Sequence, residues 1–201
     1  LKVDPLNNFN NNIDISRSNL RANINVNLSK STKIAVKYYS LFERYNGPTV
    51  GANDIFGMVV QANPANFPKV FSPDENTMNF NHTLFGNKGN GGFPNPYAEM
   101  VKGYKDRFSN TTLAQFQIEQ DLESITKGLK LRGMASVRTY SENENQRSFT
   151  PFYYGIAESQ TEQGITHSLY QIQEGTEFLN DPNVSNYGNS NFYYELVGEY
   201  N

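Results

Sequence analysis

The chain has 201 residues, of which 37% are hydrophobic and 13% aromatic, and its formal net charge is −3. The hydrophobic share lies below the roughly 45–50% of soluble domains, but chains this rich in Tyr and Phe are rarely disordered. The small net charge argues against nucleic acid as a partner, and the lack of cysteine excludes disulfides and thiol chemistry. A polar chain of this kind favours β-structure with one wet face.

No apolar run approaches the ~20 residues that a spanning helix needs, whereas a barrel strand needs only about 9–11 alternating residues. The chain begins at Leu1, without a methionine or a signal peptide. We therefore expect a processed piece or a segment of a longer protein.

The first strand signal is the run Arg21–Leu28, in which apolar residues alternate with asparagines. Alternation with period two predicts a strand with an apolar and a polar face. A short polar turn, Ser29–Thr32, leads into a second alternating run, Lys33–Arg44. Together they predict a hairpin with long arms. Its apolar side carries Ala22, Ile24, Val26, Leu28, Ile34, Val36, Tyr38 and Phe42.

A long irregular stretch, residues 45–110, follows and holds most of the prolines. Within it we expect one short helix, Asp54–Asn63. The glycine-rich run Gly86–Gly92 lacks the Lys-Ser/Thr of a phosphate loop, so it predicts a flexible loop. Loops this long are usually functional or disordered, and the many aromatic residues favour a packed loop.

A second hairpin is predicted from Thr111–Leu122, a polar turn Glu123–Gly128, and a strand Leu129–Asn143. Beyond it the pattern weakens, and only Ser148–Tyr154 and His167–Gln173 suggest short strands. A last alternating run closes the chain, Phe192–Tyr200.

Short turns on one side and long loops on the other are typical of an outer-membrane β-barrel. We expect an all-β fold of antiparallel strands from a large transmembrane barrel. Five long strands are too few to close around a wet lumen, so the remaining strands would be absent. The alternative is a soluble all-β carbohydrate-binding or adhesin-like module, in which a second sheet covers the apolar face.

Several short motifs occur in an order that resembles the SusC/RagA family of TonB-dependent outer-membrane transporters. The resemblance begins with the first hairpin, residues 23–36, and ends with the second turn and the strand after it. The motifs are Asn53-Asp-Ile-Phe, Asn63-Pro-Ala-Asn-Phe-Pro, Asn95-Pro-Tyr-Ala, Gly103-Tyr104, Gln120-Asp-Leu122, Ile125-Thr-Lys-Gly-Leu129 and Lys130-Leu-Arg-Gly133.

The resemblance implies that residues 1–201 are part of a barrel of about 22 strands, without its plug. It implies import of large nutrients, glycan or peptide, across the outer membrane of Bacteroidetes-type bacteria. The implied partners are membrane lipid, a SusD-like surface lipoprotein as a lid, and TonB through the missing plug region. The family is not enzymatic and needs no cofactor.

Candidate cargo-binding residues are the polar side chains expected to face the lumen and two loop aromatics. Solvation of the barrel interior is the plainer interpretation of the former, and ordering of a long loop that of the latter. No residue is predicted to be catalytic or to bind a metal, and His82 and His167 are expected to be ordinary loop residues. The candidates are Asn23, Asn25, Asn27, Lys130, Arg132, Arg138, Tyr153 and Tyr154.

Overall fold

A computed structural model describes residues 13–63, 66–89, 95–161 and 164–200. Strands account for 61% of the described residues and helices for 9%, which confirms the expected all-β class with antiparallel sheets. In chain order the elements are β1 (Asp14–Asn27), β2 (Thr32–Gly47), α1 (Ala52–Gln61), β3 (Phe85–Gly86), α2 (Pro96–Val101), β4 (Gly103–Asp121), β5 (Leu129–Ser148), β6 (Tyr153–Thr161), β7 (Gly164–Gln173) and β8 (Asn183–Tyr200).

The long strands form one five-stranded sheet in the order β1-β2-β4-β5-β8. Each long strand therefore lies beside the long strand that precedes it in the chain, an up-and-down order. Within the described residues, β1 and β8 are the edges of this sheet. An edge strand presents a row of backbone N–H and C=O groups that can pair with a further strand.

The two short turns form where the sequence predicts them. In the first, the Ser29 hydroxyl accepts hydrogen bonds from the backbone N–H groups of Ser31 and Thr32. In the second, the Asp121 carboxylate accepts from the Glu123 N–H, and Gly128 adopts a φ of 83°. A positive φ is readily accessible to glycine alone, so each turn is specified by its own residues.

The strands of the large sheet are longer than the hydrophobic pattern predicts. β1 begins at Asp14 instead of Arg21, β5 continues to Ser148, and β8 begins at Asn183 instead of Phe192. In these extensions polar residues predominate and apolar ones such as Ile15, Leu20 and Val184 are isolated, so the alternation disappears while the strand continues. Periodicity marks where one face is apolar, not where a strand ends.

The stretch predicted as irregular contains more structure than expected. The predicted helix is confirmed as α1, but α2, β3 and the first eight residues of β4 were missed. β4 begins at Gly103, where the backbone carbonyl of Arg147 on β5 lies so close that any side chain would collide with it. Only glycine permits this close approach of two strands.

Two smaller predictions were wrong. The strand expected at Ser148–Tyr154 is interrupted, since Thr150 exchanges hydrogen bonds with Thr176 through its N–H and its C=O. The glycine-rich run is not simply a flexible loop, because Gly86 and Asn87 are buried. Residues 90–92 of that run lie outside the described residues. The strand predicted at His167–Gln173 is confirmed within β7.

The chain divides into two compact units. Unit 1 comprises residues 1–14, 46–106 and 145–183, and unit 2 comprises residues 15–45, 107–144 and 184–201. In unit 1, β3 pairs in parallel with β6, which forms an antiparallel hairpin with β7. Its core is a cluster of apolar side chains: Phe85, Ala98, Val101 and Tyr153.

Candidate functional site

One face of the large sheet is apolar, and we call it the apolar face. Ile118 and Leu196 lie on the side of Gly133 to which a Cβ atom would point, and the rings of Phe42 and Phe108 stack 6.4 Å apart. Alternate residues of each strand therefore share this face. Its members are Ile24, Val26, Ile34, Val36, Phe42, Phe108, Phe116, Ile118, Leu129, Leu131, Val137, Phe192, Tyr194 and Leu196.

Most side chains of the apolar face are exposed among the described residues. Ile24 is 56% exposed, Phe192 65% and Leu196 73%. Scattered apolar residues on a surface need no explanation, but a contiguous apolar surface marks an interaction site. The apolar face is therefore a surface built to contact something other than water.

A polar group on the apolar face is satisfied within the sheet itself. Ser40 is fully buried, and its hydroxyl lies 2.8 Å from that of Thr112. The Asn110 amide donates to the Ser40 hydroxyl at 3.2 Å and accepts from Thr112 at 2.8 Å. These three side chains form a closed ring, so no polar atom of the ring depends on water for its partner.

The opposite side of the sheet is the polar face, on which charged groups pair across neighbouring strands. Glu43 on β2 accepts from Arg17 on β1 at 2.5 Å and from Arg107 on β4 at 3.0 Å. Toward the other edge of the sheet, Arg132 on β5 pairs with Glu199 on β8 at 3.0 Å. Partly exposed pairs of this kind contribute little to stability, usually below about 1 kcal/mol. The polar face therefore carries charges of both signs in a wet setting.

Aromatic rings supplement these charges on the polar face. The guanidinium of Arg21 lies 5.5 Å from the centre of the Tyr39 ring, and that of Arg107 lies 5.7 Å from Tyr45. Cation–π contacts at exposed sites contribute about 0.5–1 kcal/mol each. Such a surface can bind polar molecules by charge, hydrogen bonding and stacking.

The asparagines predicted to line the lumen are exposed on β1. Asn25 and Asn27 line a shallow groove of about 190 Å³ together with Lys33, Gln117 and Glu119. The last three residues were not predicted as site residues, because they lie on β2 and β4 and only the sheet order brings them beside β1. Asn23 is exposed as well but does not line the groove.

The predicted basic residues all lie on β5. Lys130 and Arg138 are exposed, whereas Arg132 is half-buried and bound to Glu199. β2 and β4 separate this strand from β1. The structure therefore brings the asparagines and the basic residues onto one face but not into one pocket, and their role in cargo binding stays a prediction.

The two candidate aromatics lie in the core of unit 1. Tyr153 is 6% exposed and Tyr154 2%. Burial, together with the nearby Glu99 carboxylate, raises the pKa of Tyr153 to about 12, and burial also raises the pKa of Tyr154. Their placement matches the interpretation in which the aromatics order a long loop. Contact with cargo stays a prediction.

Asn95 connects three segments of unit 1, a role the sequence analysis missed. Its carboxamide oxygen accepts from the N–H groups of Tyr97 and Ala98 and caps α2. Its amide nitrogen donates to the carbonyls of Lys69 and Gly86. Asparagine before proline is a known helix start signal, but the two distant carbonyls could not be inferred from it.

His82 lies in a loop, as expected, but it is also the centre of an aromatic cluster in unit 1 that the sequence did not predict. Its ring stacks on Phe152 at 3.8 Å, and its Nε2 lies 2.8 Å from the Tyr154 hydroxyl. Its Nδ1 lies 3.7 Å from the Glu177 carboxylate. These partners are about 70 to 95 residues away in the chain, so no local pattern could reveal them.

Within residues 13–63, 66–89, 95–161 and 164–200, no group of three or more His, Asp or Glu side chains is arranged to hold a metal ion. In the same ranges, every helix is too short or too polar to cross a membrane. No protein-family model matches the chain, and no characterised protein matches its sequence.

Proposed function

We propose that this chain is part of the wall of an outer-membrane β-barrel, in a TonB-dependent transporter that imports large nutrients such as glycans or peptides. The observation that carries the proposal is the large sheet, which has one uncovered apolar face and one charged, polar face. In the proposal the apolar face contacts lipid and the polar face lines the wet lumen.

A water-soluble sheet does not leave its apolar side open. Stable domains pack at least two layers, because an apolar sheet face must be buried against another element. The large sheet is a single layer, and nine of the fourteen apolar-face residues are 38–74% exposed, from Leu131 and Val36 at one limit to Tyr194 at the other. Acyl chains would supply the missing layer. This favours the barrel over the soluble binding module, which needs a second sheet.

The edges of the sheet support a continuing barrel. In hydrocarbon, unpaired backbone groups cost several kcal/mol each, so only closed sheets are stable there. β1 and β8 each have one strand neighbour among the described residues. In the proposal, further strands of the same barrel pair with the outer edges of both.

The connections have the asymmetry of barrel loops. Turns of a few residues join β1 to β2 and β4 to β5, whereas residues 48–102 and 149–182 make the other two connections. Successive strands run in opposite directions. The long connections therefore start and end at one rim of the sheet, and the short turns lie at the opposite rim. Outer-membrane barrels place short turns on the periplasmic rim and long loops outside.

The more specific identity rests on the resemblance to SusC/RagA transporters. It would supply a SusD-like lipoprotein above the long connections and a plug that TonB engages from the periplasm. The chain would then contribute no bond-breaking chemistry. It would bind cargo through the polar face, and the candidates there are Asn23, Asn25, Asn27, Lys130, Arg132 and Arg138.

Single-cysteine labelling tests the proposal directly, because the natural chain contains no cysteine. Nitroxide labels are placed at Phe116→Cys and Leu131→Cys on the apolar face and at the adjacent Gln117→Cys and Arg132→Cys. In lipid vesicles, we expect dissolved oxygen to relax the first pair more strongly and a water-soluble nickel chelate to relax the second pair.

The contrary result is equally clear. If the chain is monodisperse in plain buffer and the labels at positions 116 and 131 are shielded from both reagents, a protein layer covers the apolar face. The soluble binding module would then replace the transporter.

A further inference from the structure

Unit 1 contains a cavity of about 320 Å³ beside His82. Three phenyl rings line it, those of Phe85, Phe149 and Phe152, together with the carboxylate of Glu177. These residues come from three separate parts of the chain. The cavity is therefore a product of the packing of unit 1 and not of one local turn.

The Glu177 carboxylate lies beside His82 and has no stronger basic partner in the described part of the chain. The Nδ1 atom of His82 lies 3.7 Å from the Glu177 carboxylate, which is longer than a hydrogen bond. Its Nε2 atom lies 2.8 Å from the Tyr154 hydroxyl. In the described part of the chain, no Lys or Arg pairs with Glu177.

Other members of the cavity lining are neutral. Asn81, Thr83 and Thr176 offer amide and hydroxyl groups, which bind either donors or acceptors. The lining thus combines aromatic surface with one negative charge that is 63% exposed. Aromatic faces attract cations, and arginine-type groups both stack on rings and pair with carboxylates.

We propose that this cavity binds an organic cation, a guanidinium or ammonium group on an apolar stem, such as the side chain of an arginine in a peptide. Glu177 would pair with the positive charge, and Phe149 and Phe152 would contact the stem and the flat group. The proposal uses residues of unit 1 alone and does not rest on the transporter function.

Calorimetric titration of the full chain in detergent micelles tests this proposal. The probe is Nα-acetyl-arginine amide, and its matched neutral control is Nα-acetyl-citrulline amide. We expect the arginine compound to bind at least about tenfold more tightly, and its affinity to fall with added salt, as for a charge-dependent contact.

Variants locate the binding. Glu177→Gln should weaken arginine binding by roughly fivefold, the size expected of a partly exposed ion pair, whereas Glu174→Gln, an exposed carboxylate three residues away, should leave it unchanged. Phe152→Leu should weaken binding by about threefold through the lost ring surface. Near-ultraviolet circular dichroism verifies that each variant retains the packing of unit 1.

Equal affinity for the two ligands would overturn the proposal. So would the absence of heat up to about 10 mM ligand, or an affinity that Glu177→Gln leaves unchanged. None of these outcomes would alter the cysteine labelling of the large sheet, so failure of the cavity and failure of the barrel can be distinguished.

Discussion

The two compact units differ in where their apolar side chains lie, since unit 1 buries several of them and unit 2 leaves them largely exposed. All seven buried hydrophobic residues among those described belong to unit 1, including Phe85, which is 2% exposed. In unit 2 the only buried residue described is a serine, Ser40, and aromatic and aliphatic side chains stand open on the apolar face. Unit 1 has a core of its own, and unit 2 has a surface that needs an outside partner.

This difference teaches that secondary structure and stability are separate matters. Backbone pairing and short turns suffice to specify the strands of unit 2, but a single sheet layer gains little from burial. Its stability must come from the medium or from neighbouring chain. Unit 1 gains stability from its own packed cluster and from buried hydrogen bonds such as those of Asn95.

Removing a core side chain should produce the largest contrast between the units. Phe85→Ala should destabilise unit 1 by about 3–5 kcal/mol, the usual cost of deleting a buried phenyl ring. Phe192→Ala, which removes a ring that is 65% exposed on the apolar face, should cost less than about 1 kcal/mol. Hydrogen exchange resolved by peptide compares the two units within one sample. Equal effects would show that unit 2 also has a protein core.

Introducing a charged residue on the apolar face should cause the next largest loss of stability. Phe116→Arg should cost roughly 2–4 kcal/mol if the face meets the middle of a bilayer, whereas Gln117→Arg on the polar face should cost almost nothing. The folded fraction in vesicles, read from heat-modifiable gel mobility, measures both. Similar losses for the two variants would contradict the assignment of the faces.

Alkaline pH should weaken unit 1 through Tyr153. The pKa of this tyrosine is raised by burial from 10 to about 12, so the folded state holds its proton more tightly than the unfolded state. The contribution of Tyr153 to the free energy of unfolding is fully present below pH 10 and is lost as the pH rises through 12. A pKa difference of about two units corresponds to a loss of roughly 2–3 kcal/mol.

Denaturant titrations between pH 9 and about 12 measure this effect. Tyr153→Phe should flatten the decline, whereas Tyr170→Phe, which alters an exposed tyrosine of the same hairpin, should not. If Tyr153→Phe leaves the slope unchanged, other groups cause the alkaline loss.

The smallest effect is expected on the polar face. Glu43→Gln removes the shared partner of Arg17 and Arg107, and we expect a loss of about 1 kcal/mol or less because these pairs are partly exposed. Glu123→Gln, in an exposed turn, serves as the control. A loss of several kcal/mol would mean that the polar face is drier than a water-filled lumen.

Much of the large sheet could be predicted, because its information is local. Alternation at Arg21–Leu28 and Leu129–Asn143 predicted strands that the structure contains, and polar turn residues predicted both short connections. The alternation also predicted that Ile34 and Val36 lie on one face of the strand and Lys33 on the other, and the structure has them on opposite faces. The strand ends were missed because polar extensions carry no periodic signal.

The candidate site was predictable only in part. Asn25 and Asn27 were identified from their face, but their groove partners Lys33, Gln117 and Glu119 depend on the order of strands in the sheet. A pattern read along one strand cannot show which strand lies next to it. Residues on neighbouring strands therefore enter a site only when the sheet is assembled.

By itself, the sequence determined the β class, the two faces of the large sheet and its tight turns, since each depends on residues within one strand or one turn of the chain. Tertiary structure alone decided the core of unit 1, the links made by Asn95 and the cavity beside His82. Those features join residues that lie far apart in sequence, and packing and hydrogen bonding across such distances leave no periodic trace in the chain.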